Sequence, residues 1–81
     1  PFRDGLLQAQ AYLKKMNRKM PGLMVRSYVI TDGRSNQSVQ GIRLGLNSVV
    51  IDTEQSAVKH GRAPSIALQL GAQYLAIPNL A

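Results

Sequence analysis

From residue 63 to residue 81 the chain carries no charged side chain, and no other feature constrains its fold as strongly. Pro64 suits the first turn of a helix and Pro78 its end, so the segment reads as a long helix over residues 64–77. Ile66, Ala67, Leu68, Leu70, Ala72, Tyr74, Leu75, Ala76 and Ile77 leave that helix apolar nearly all round. Ser65, Gln69 and Gln73 form its one polar line. A helix of this kind is buried on most sides. A chain of 81 residues offers little else to cover it. The segment is therefore expected to dock on another subunit, as a homo-oligomer or within a larger assembly, through Ile66, Leu70, Tyr74 and Ile77.

The other end has the opposite character. Phe2, Leu6, Ala9, Leu13, Met16 and Met20 recur at helical spacing, which predicts an amphipathic helix over residues 3–20. Asp4 lies in its first turn and Lys14, Lys15, Arg18 and Lys19 in its last two, the order the helix dipole favours. Pro21-Gly22 stops it. Residues 23–31, with Val25, Tyr28, Val29, Ile30 and Thr31, read as a strand. Residues 32–36 are turn chemistry. Ile42, Leu44 and Leu46 then alternate with Gly41, Arg43 and Gly45, predicting a half-buried strand over 38–46 that pairs with the first as an antiparallel hairpin. Residues 49–51 make a short third strand or continue the second.

Asp52 or Thr53 is a suitable N-cap, with Gln55 completing a capping box, for a short helix that runs to His60 and closes at Gly61. The expected fold class is α+β: an N-terminal amphipathic helix, a two- or three-stranded antiparallel sheet, then one short and one long apolar C-terminal helix. Residues 1–81 read as a single domain, whole or excised from a larger protein.

Composition excludes several classes of function. Without cysteine there is no disulfide, thiol chemistry or thiolate-bound zinc, which fits a cytoplasmic setting. No stretch is long and apolar enough to span a bilayer. His60 is the sole histidine, and neither a Ser-His-Asp order nor HExxH spacing surrounds it. It reads as a helix C-terminal side chain, and Asp52 and Glu54 as a cap and a first-turn acid. Gly33, Gly41 and Gly45 match no phosphate-binding motif. Pro1 leads toward a helix and lacks the setting of a catalytic base. No catalytic residue, cofactor or metal site is assigned, and the chain is not read as an enzyme.

Charge supplies the positive expectation. The net charge is +6, and the cations gather in the first half: Lys14, Lys15, Arg18, Lys19, Arg26, Arg34 and Arg43 share residues 14–43 with Asp32 alone among acids. Such a surface suits the phosphate backbone of DNA or RNA, with little base readout because stacking groups are few. Helix punctuation around Gly61-Arg62-Ala63-Pro64 is similar to helix-turn-helix spacing, but only Gln69 and Gln73 could address base edges there. The first expectation is a basic nucleic-acid-binding or nucleoprotein-associated module that oligomerises through its C-terminal helix. The alternative is a structural, assembly or docking subunit that binds no nucleic acid.

Overall fold

The computed structural model describes residues 2–54 and 61–77. Helix α1 spans Phe2–Lys19, followed by strand β1 (Ser27–Thr31), strand β2 (Ser48–Asp52), helix α2 (Ala63–Leu70) and strand β3 (Gln73–Ala76). The three strands form one sheet in the order β1-β2-β3, and both pairings are parallel.

Helix α1 follows its periodicity. Leu6 is buried, Phe2, Ala9, Leu13 and Met16 are half-buried, and Met20 lies exposed just past the end. The strand read over 23–31 narrows to β1, and the short one read at 49–51 is β2.

The antiparallel hairpin is corrected to a parallel pair. Residues 38–46 hold turns and no strand, although Ile42 and Leu44 are buried as their alternation suggested. Gly41 and Gly45 take φ of 83° and 91°, left-handed conformations that break an extended run. The whole of 32–47 is therefore a crossover, which parallel strands need and a hairpin does not.

The long apolar C-terminal helix is corrected too. α2 ends at Leu70 because Gly71 takes φ 67° and its N–H donates to the Leu68 carbonyl, while Ala72 N–H donates to Ala67. Those bonds close a helix and reverse the chain. The apolar run that follows becomes β3, paired with β2 from Val49↔Gln73 to Asp52↔Ala76. Apolarity all round was the sum of a helix buried on one side and a strand. Leu68 on α2 is 80% exposed, and every residue of β3 is exposed. The short helix expected between Asp52 and His60 falls largely outside the described residues.

The core lies on one side of the sheet. Val50 from β2 meets Ala63, Ile66, Ala67 and Leu70 from α2, Val39, Ile42 and Leu44 from the crossover, and Leu6 from α1. Each such large side chain stabilises the fold by about 1.5–3 kcal/mol through burial. The opposite face has no helix over it among the described residues.

Candidate functional site

Four features could carry function: the C-terminal ends of the strands, the crossover loop with its cleft, the cationic side of α1, and the uncovered sheet face.

In a parallel sheet, side chains and loops at the carboxyl ends of the strands converge, and ligands of open α/β sheets bind there. Here β1 delivers Thr31-Asp32-Gly33-Arg34 and β2 delivers Asp52-Thr53-Glu54 to that end. Asp52 is buried and accepts the Tyr74 hydroxyl at 2.6 Å and the Glu54 N–H at 2.9 Å. That hydrogen bond, then burial, then the negative charges of Asp52 and Glu54 push the Tyr74 phenol up to about 12. The buried Glu54 carboxylate accepts Arg34 Nη2 at 3.0 Å and Gly61 N–H at 3.2 Å. Asp32 accepts the Arg34 N–H at 3.0 Å. Gly33 and Gly61 approach so closely that a Cβ on Gly33 would stand 2.5 Å from Ala63 N. Arg62 N–H donates to Gly33 O at 2.7 Å across that contact. The cluster is internally paired and holds the three strand ends and the start of α2 together. Among the described residues no group of three or more His, Cys, Asp or Glu could hold a metal ion.

The crossover is held by arginines rather than by regular structure. Arg62 Nη2 donates to Ser35 O at 2.7 Å and Gln37 O at 2.9 Å. From α1, Arg3 Nη1 donates to Ser38 O at 2.8 Å and Gln40 O at 3.1 Å, and its N–H donates to Gln37 Oε1 at 2.6 Å. Gln10 Oε1 accepts the Arg43 N–H at 2.7 Å. Beside this loop opens a cleft of about 490 Å³ lined by Asn36, Ser38, Gln40, Gly41, Arg43, Arg62 and Gln69.

The cationic residues read from the sequence do not form one surface feature. Lys14, Lys15, Arg18 and Lys19 are exposed on α1 and have no ion pair with a described residue. Arg26 is exposed just ahead of β1. Arg34 is bound to Glu54 at the strand ends, and Arg43 lines the cleft. Of the residues read as an oligomer interface, Ile66 and Leu70 are consumed by the chain's own core, while Tyr74 and Ile77 are partly exposed.

Sequence reasoning missed Arg3 and Arg62. Arg3 did carry a signal, since a cation in a first helical turn opposes the dipole and needs another reason to be there. It also missed the uncovered face. Side chains alternate along strands, and the register aligns Tyr28 with Val49 and Gln73, and Ile30 with Ile51 and Leu75. Tyr28, Ile30 and Leu75 are 59%, 69% and 55% exposed, and Val49 and Ile51 are half-buried.

No helix among the described residues is long and apolar enough to cross a membrane. No protein-family model, curated protein or solved structure matches this chain.

Proposed function

We propose that the chain is an assembly module, whose open sheet face receives an apolar layer from another polypeptide. One observation carries this reading: the row Ile30, Ile51 and Leu75 lies toward water on an all-parallel sheet. All-parallel sheets occur almost entirely with both faces covered, and contiguous exposed apolar surface marks interaction sites. The strand residues of this face, Tyr28, Ile30, Val49, Ile51, Gln73 and Leu75, include no charged side chain. Ile77 follows Leu75 at the alternate position beyond β3, whereas Tyr74 shares the register of the core residue Val50, and Ile66 and Leu70 serve the core. Sedimentation velocity of the chain tests the reading. A defined oligomer that Ile30→Lys dissociates supports it; a monodisperse monomer that keeps this sheet folded ends it.

The four exposed cations on α1, without an ion pair among the described residues, favour a second reading, in which this helix lies along a nucleic-acid backbone with Arg26 nearby. Binding of labelled DNA or RNA should fall steeply with salt, and reversal of Lys14, Lys15, Arg18 and Lys19 should abolish it. Arg34 contributes little there, because Glu54 already occupies it.

A further inference from the structure

We propose that the cleft between the crossover and α2 binds a phosphoryl-bearing anion, at a site separate from both the open sheet face and the α1 cations. Its lining is Asn36, Ser38, Gln40, Gly41, Arg43, Arg62 and Gln69, which includes two guanidinium groups, neutral hydrogen-bonding groups and no carboxylate. Its volume, about 490 Å³, lies in the range of small-ligand sites.

The charge at this place is uncompensated in a specific way. α2 begins with no capping side chain and no acid in its first turn, so within the helix nothing offsets the positive end of its dipole. Arg62 stands at that end, where a cation raises the potential further. The neighbouring acids Asp32 and Glu54 pair with Arg34, Glu54 also accepts the Gly61 N–H, and neither lines the cleft. An anion in the cleft would meet two guanidinium groups that no carboxylate of the lining offsets.

The guanidinium groups are also arranged in advance. Arg62 is fixed by its two carbonyl bonds through one nitrogen, Nη2, which leaves Nε and Nη1 to donate elsewhere. Arg43 is anchored at its backbone by Gln10, and its guanidinium lies over Gly71, where a Cβ would come within 2.6 Å of Nη2. Two arginines lining one polar cleft match the several acceptor oxygens of phosphoryl groups. Asn36, Ser38 and Gln69 add neutral donors for the remaining oxygens.

The experiment is an amide-resolved NMR titration of the chain with sodium pyrophosphate at low ionic strength. Sodium chloride at matched ionic strength serves as control. Saturable shifts at Asn36, Ser38, Gln40, Gly41 and Gln69 are expected. Arg43→Gln should weaken binding by about tenfold, the effect of roughly one lost charged hydrogen bond. Because Arg62 also holds the loop, Gln69→Ala provides the second variant, with the Val49, Val50 and Ile51 amides reporting that the sheet is intact. A parallel arm uses a short single-stranded oligonucleotide. Shifts in the cleft from the oligonucleotide identify the phosphoryl source as nucleic acid. Shifts there from pyrophosphate alone identify a free small molecule. Shifts reproduced by chloride, or affinity unchanged in both variants, overturn the proposal. Oligonucleotide shifts confined to α1 bear on the nucleic-acid reading and leave the pyrophosphate result to decide this one.

Discussion

The Tyr74 hydroxyl reaches the buried Asp52 carboxylate at 2.6 Å, from the third strand back to the end of the second. Aspartate accepts, tyrosine donates, and deprotonating the phenol sets two negative groups against each other.

A pH titration of tyrosine absorbance should therefore show the Tyr74 phenol ionising at about 12. A phenol whose folded pKa is raised stabilises the fold below the unfolded value of 10.0, and that contribution disappears as pH rises toward 12. Tyr74→Phe should remove the late transition and flatten stability across that window. Its cost at neutral pH should be about 1 kcal/mol, because the side chain is partly exposed. A high-pH titration curve that Tyr74→Phe leaves unchanged would contradict this.

The Gly33–Gly61 contact predicts opposite outcomes for two glycine substitutions. Gly61→Ala drives a Cβ into the Asp32 carbonyl and should cost roughly 2 kcal/mol or more in urea melts. Gly5→Ala meets nothing within 4 Å inside α1 and should stabilise by roughly 0.5–1 kcal/mol. Equal effects at the two sites would show that the strand ends and the start of α2 do not meet closely.

Within α2, Ile66→Ala should destabilise by about 2–5 kcal/mol, whereas Leu68→Ala, on the exposed side, should stay within about 0.5 kcal/mol. A helix continuing past Gly71 and buried all round would make both substitutions severe, so the pair separates the two accounts of this segment.

Arg62→Ala should release the Ser35 and Gln37 carbonyls. Amide exchange in residues 34–43 should then accelerate by about tenfold, the effect of roughly 1.4 kcal/mol of local stability. Protection of Val49 and Ile51 in the sheet should change little. Uniform acceleration would make Arg62 a determinant of the whole fold.

Much of the first third was legible because one cause acted at a time. The stripe from Phe2 to Met16 has a single period, and Pro21-Gly22 closes it. The β-rich run ending at Thr31 likewise had one reading. Residues 38–46 deceived because Ile42 and Leu44 do point inward, but from turns, and burial at alternate positions is also what a strand produces. The left-handed glycines at 41 and 45 were the warning. In residues 64–77 the decisive residue was Gly71, which served as a helix stop and strand lead-in inside what reads as one continuous helix. Strand direction was beyond local pattern, since parallel pairing is settled by which elements share the core. The site suffered most from that. Lys14, Lys15, Arg18 and Lys19 can be read as one helix face, but Arg34 and Arg43 are placed by the crossover, which no periodicity reveals. The cleft-lining role of Arg62 follows from the same loop.

Arg3 on the first helix and Arg62 at the threshold of the second grip neighbouring carbonyls of one irregular strap. The strap thus ties the two helices together in addition to the core they share, to which α1 gives Leu6 and α2 gives Ile66. A change that loosens the strap at either arginine therefore reaches the mouth of the cleft, which Ser38, Gln40 and Arg62 line.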